Sequence, residues 1–195
     1  MVGGSGGSGG DPGSWRRSAR AVSANKLDDE LGALWTTVLE TPSAQNPFGS
    51  GGAAFACLSV DGTVAPFAPG GVSSCTVKSG TKLFVAASSF ECSTFEGNGT
   101  TEAQLRACAR ETDVKVGPTV TVDGRPVAVS EAETALLEIV LPADNILGLS
   151  TGSQGLSVGH GWVVLLHPLT PWTHTIVITV GARTVTTTIV VVPGG

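Results

Sequence analysis

Glu91 and Glu96 stand on one short polar segment, residues 88–100, and their types and spacing could do chemistry. Paired carboxylates work as acid and base when burial separates their pKa values, and they chelate calcium when loop carbonyls join them. Glu91 and Glu96 are therefore the candidate catalytic pair and equally candidate binding residues. The segment lacks the D-x-[DN]-x-[DN]-G spacing of a calcium loop. The plainer reading makes Glu91 structural and Glu96 solvated, with Glu102 serving a helix dipole just downstream.

The three histidines, His160, His167 and His174, are the candidate metal ligands. If residues 169–172 join two strands symmetrically, His167 faces His174 across a hairpin, with Cβ atoms ~5 Å apart. His160 lies an odd number of residues before His167, so an unbroken strand turns it to the other face, and a three-histidine site needs a bend. Exposed or hydrogen-bonded histidines beside a turn are the simpler alternative. Trp172, between Pro171 and Thr173 at the same turn, is a candidate stacking platform for a ligand or partner. Trp162, inside a strand, reads as core. The motifs of hydrolases and nucleotide binders, G-x-S-x-G, H-E-x-x-H, the P-loop and G-x-G-x-x-G, are missing, and Gly159-His160-Gly161 alone is too short to carry meaning. Asn98-Gly99-Thr100 is an N-x-T sequon. No motif requires a cofactor; a metal ion is the one that the glutamates or histidines would admit.

Cys57, Cys75, Cys92 and Cys108 are an even set confined to the first half of the chain. They allow three pairings, which sequence alone leaves open. Zinc is disfavoured because no C-x2-C pair exists. Disulfides are the expectation, and with them an oxidising, extracytoplasmic setting.

These side chains need elements to hold them. Residues 1–22, rich in Gly and Ser, read as a flexible linker or scar. Residues 23–195 read as one β-rich domain. It begins with a helix: Leu27, Leu31, Leu34, Trp35, Val38 and Leu39 fall on one stripe at helical period, Ser23 or Asn25 caps it, Asp28 and Asp29 occupy its first turn, and Pro42 ends it. A second helix follows Thr101, whose spacing from Gln104 is a capping-box signature. Strands are expected at 55–60, 82–87, 119–122, 125–129 and 136–141, with Asp61-Gly62 and Asp123-Gly124 as hairpin turns. Residues 158–167, 173–180 and 184–192 read as an antiparallel meander. The last of these, TVTTTIVVV, is an inner strand or, left at an edge, a route to self-association.

Apolar residues make up 41% of the chain and charged residues 14%, which argues against disorder. The net charge of −5 and the lack of a basic stripe beyond Arg16, Arg17 and Arg20 argue against nucleic acid as a partner. No run is long and apolar enough to cross a membrane. Residues 1–22 also lack the apolar core of a signal peptide, so export implies one removed before residue 1.

The stretches CTVKSGTKLFV (75–85), ECSTFEGNGTTEAQLRAC (91–108), VDGRPV (122–127), LPADNILGL (141–149) and HPLTPWTHTI (167–176) together resemble an uncharacterised group of secreted bacterial proteins. The likeness spans about residues 31–180. It implies export and paired cysteines, and it carries no activity. The chain departs from the pattern at residues 159–162, where an acidic residue before the glycine is expected.

The sequence thus points to a mainly β protein, an antiparallel β-sandwich of jelly-roll or immunoglobulin-like type with two accessory helices. The leading function is non-catalytic binding of an extracellular ligand or protein partner. The alternatives are a hydrolase using Glu91 and Glu96 with His160 or His174, metal-assisted or not, and a self-assembling structural protein.

Overall fold

The computed structural model describes residues 24–50, 52–68, 71–113, 115, 117–150 and 152–194. The linker expected at 1–22 and a cap at Ser23 lie outside them. Helix α1 runs Ala24–Glu40, followed by short 3-10 turns at Ser43–Gln45 and Gly52–Phe55. Then come β1 (Cys57–Val60), β2 (Thr63–Pro66), β3 (Val72–Lys78) and the long β4 (Lys82–Ser93). Helix α2 (Glu102–Thr112) precedes β5 (Thr119–Val122), β6 (Arg125–Val127), β7 (Ser130–Glu133) and β8 (Leu137–Val140). The chain closes with β9 (Gln154–Leu166), β10 (Thr173–Val180) and β11 (Arg183–Val192).

The strands make two sheets that pack face to face. The first has the order β1-β2-β4-β9-β7, with β8 also on β9; the second has the order β3-β11-β10-β5-β6. The sandwich and both helices are as expected, but neither sheet is purely antiparallel. β2 runs parallel to β4, and β3 runs parallel to β11. The anticipated meander is also broken. β9 belongs to the first sheet and β10 to the second, so residues 167–172 are a crossover between sheets rather than a hairpin. Strand β11 pairs on both sides, with β10 and β3, so its edges offer no ladder for self-association.

The core lies in layers set by the period-2 alternation of the strands. Leu83, Val85, Val164 and Leu166 of the first sheet meet Val77, Ile176, Ile189 and Val191 of the second. On the other face of the first sheet, Phe84, Val163 and Ala132 receive Leu27, Leu31, Leu34 and Val38 of α1. That is the stripe read from the sequence. Asp28 and Asp29 do not lie in the first turn of α1, as the capping expectation had it, because the helix begins at Ala24. Asp28 instead accepts the backbone N–H of Glu133, tying α1 to β7. At the far end α2 packs on β4 and β9 through Leu105, Ala109, Cys92 and Val158.

The turns follow their chemistry. Asp61-Gly62 joins β1 to β2 and Asp123-Gly124 joins β5 to β6, all four residues at positive φ. The Thr101–Gln104 capping box starts α2. The cysteines pair in sequence, Cys57 with Cys75 and Cys92 with Cys108, with Cα separations of 5.4 and 6.1 Å. The first bridge links β1 of one sheet to β3 of the other. The second fastens α2 to β4. Among the described residues no helix is long and apolar enough to cross a membrane.

Candidate functional site

The first sheet divides in the middle. β2 pairs with β4 only at Thr63–Val64 against Lys82–Leu83. Beyond that point β2 turns away, and the N–H of Phe67 bonds to Ala56 instead. β4 continues along β9 to Ser93. The layers above and below do not stop at the division, so a cleft of about 400 Å³ remains beside β4. Leu34, Trp35 and Val38 of α1 form one wall, and Ile178, Val185 and Thr187 of β10 and β11 form the opposite one. Phe48 and Phe67 stand at the side in edge-to-face contact, centroids 5.0 Å apart. Arg183 also lines the cleft; it is exposed and forms no ion pair among the described residues.

The floor is polar where β4 bulges between Ala86 and Ser88. A bulge re-aims neighbouring side chains, and here both Ser88 and Ser89 line the cleft. The Ser88 hydroxyl donates to Asp113 Oδ1 at 2.7 Å. Asp113 Oδ2 in turn lies 3.0 Å from His160 Nδ1, and His160 Nε2 lies 2.9 Å from Glu131 Oε1. Ser89 donates to the His160 carbonyl at 2.8 Å and accepts the Trp35 indole N–H at 2.9 Å. Both serine protons are therefore committed inward, and what faces the cleft is lone-pair density.

Two glycines make this possible. A Cβ on Gly159 would sit 2.3 Å from Trp35 Cδ1, and one on Gly161 would sit 2.8 Å from the Ser89 side chain. The Gly159-His160-Gly161 run, which had no meaning as a motif, is what lets the Trp35 indole lie against the sheet.

Glu91 and Glu96 come together as the sequence suggested. Glu91 is buried and Glu96 exposed. Burial pushes the Glu91 carboxyl up to about 7; the Ser157 hydroxyl bond opposes the rise, and the neighbouring Glu96 adds to it. Asn98 closes the loop on Ser93, its Oδ1 accepting the Ser93 N–H at 2.9 Å. The sequon asparagine is thus structural. Glu91 and Glu96 do not line the cleft.

The expected convergence of carboxylates and histidines does not occur. Glu91 is opposite Gly159 and Phe90 opposite His160, so Glu91 and His160 point to opposite faces of one sheet. His174 is in the other sheet, where Nδ1 lies 2.7 Å from Asp123 and Nε2 donates to the Thr170 carbonyl at 2.9 Å. Those two bonds, Asp123 first, raise its pKa. His167 is exposed in the crossover, and with no hairpin there it does not face His174. The three-histidine metal site is corrected accordingly. Among the described residues no group of three or more His, Cys, Asp or Glu is placed to hold a metal ion. Trp172 is 76% exposed, as a platform would be, but it is not part of the cleft.

No protein-family model matches the chain, and no curated protein or solved structure matches it.

Proposed function

We propose that the protein is an exported bacterial binding module whose site is the cleft beside β4, and that it is not a hydrolase. The observation that carries this reading is the cleft itself, an apolar slot of about 400 Å³ with a small polar floor. That size and lining suit ligand sites, which hold ~300–1,000 Å³ between mainly apolar walls with a few placed polar groups. The two disulfides and the likeness to secreted proteins support export. The carboxylate pair stands outside the slot, and no histidine joins it, which favours binding over hydrolysis.

Titration of the full chain with 1-anilinonaphthalene-8-sulfonate, whose rings suit the slot and whose sulfonate suits Arg183, tests the reading. Saturable binding with quenched Trp emission is expected. Val185→Trp, which fills the slot from β11, is expected to weaken it at least about tenfold, a loss of ~1.4 kcal/mol. Binding indifferent to Val185→Trp in a folded variant, or no saturable binding, overturns it.

A further inference from the structure

We infer that the natural occupant of the slot is an extended peptide segment of another protein, which adds to β4 as the strand missing beside it. This rests on the cleft being the binding site, and it names the chemistry of what binds.

The backbone of β4 gives the first reason. In an antiparallel pair, alternate residues turn both their N–H and C=O toward the partner strand, and the residues between turn both away. Ser93 turns away from β9, because its N–H and C=O are both taken by Asn98, at 2.9 and 3.2 Å. Glu91 and Ser89 are in phase with Ser93 along β4. All three turn away from β9, and Ser89, which lines the cleft, therefore points its N–H and C=O toward the open side, where no described strand pairs with them. An unpaired strand edge is a template for another chain.

The layers give the second. The slot lies in the plane of the first sheet, between α1 and the β10–β11 pair, where a neighbour of β4 would run. A strand placed there sends alternate side chains to opposite faces. One set meets Leu34 and Trp35, and the other meets Ile178 and Val185. Both walls are apolar, so the fitting segment is apolar on both faces, as a central strand is. A small apolar molecule would fill the walls and leave the backbone N–H and C=O of Ser89 unmatched. Arg183, exposed and without an ion pair among the described residues, favours a carboxylate on the segment.

The test selects binders of the immobilised full chain from a displayed random octapeptide library and measures the best synthetic peptide by Trp fluorescence. Methylating single backbone nitrogens of that peptide removes amide protons and spares every side chain. Strand addition predicts a loss of roughly tenfold at alternate positions and little between them, and loss of binding in Val185→Trp. A flat methylation profile, or full binding by folded Val185→Trp, overturns the inference. If no peptide is selected while the naphthalene sulfonate still binds and Val185→Trp abolishes it, the cleft stands as a small-molecule site and the peptide inference falls. If neither probe binds, both readings fall. A concentration-dependent dimer blocked by Val185→Trp would replace the foreign peptide with a second copy of this chain.

Discussion

Glu91 holds its proton to about pH 7 in the folded chain, against 4.5 for an ordinary glutamate. The folded state therefore binds more protons than the unfolded state between those values, and stability falls as pH rises through that window. Glu91→Gln keeps an acceptor for Ser157 and removes the ionisation. It is expected to match the parent near pH 4.5 and to exceed it by about 1–3 kcal/mol at pH 8, read from urea midpoints at the two pH values. His174 shifts stability in the same direction. Its raised pKa means stability present below 6.5 and lost as pH rises through the folded value. The amount is small because Asp123 is 47% exposed. In Asp123→Asn, which still tolerates the positive φ of the turn, the His174 titration measured by NMR is expected to move down toward 6.5. The Glu91–Glu96 neighbourhood was legible because one short segment carries both, Glu91 at the end of β4 and Glu96 in the turn after it. The inward commitment of Ser88 was not, because its partner Asp113 lies past a helix and His160 on a distant strand.

At the scale of elements, α1 keeps its place through Trp35 on Gly159. Gly159→Ala forces a methyl into the indole, and overpacking of this kind costs about 1–3 kcal/mol. The same change narrows the slot, so it is expected to lower the thermal midpoint and weaken probe binding together. Thr101→Ala removes half of the capping box of α2, at a cost of ~1 kcal/mol, with binding unchanged. Both helices and both Asp-Gly hairpins could be read from the chain because their signals are local: a stripe, a cap, a positive-φ dipeptide. β7 could not. In SEAE only Ala132 turns fully inward, so no alternation of apolar residues announces it. The path after β9 was misread for a related reason. Proline and threonine at residues 168–171 favour a turn, but the same residues suit a hairpin and a crossover, and only packing decides.

For the whole molecule, the even set of cysteines was the soundest guide. Titration of the native, unreduced chain with a thiol reagent is expected to find no reactive groups, since all four cysteines are bridged. Removing either bridge is expected to cost about 3 kcal/mol on the chain-entropy account, but with different results. Loss of Cys92–Cys108 frees α2 from β4. Loss of Cys57–Cys75 frees one sheet from the other along the flank where β1 and β3 lie. The Cys57–Cys75 bond acts as a calliper screw. While it is closed, the two sheets stay clamped on the flank where β1 and β3 lie. A reducing medium would slacken the screw and let the two sheets shift against each other on that flank.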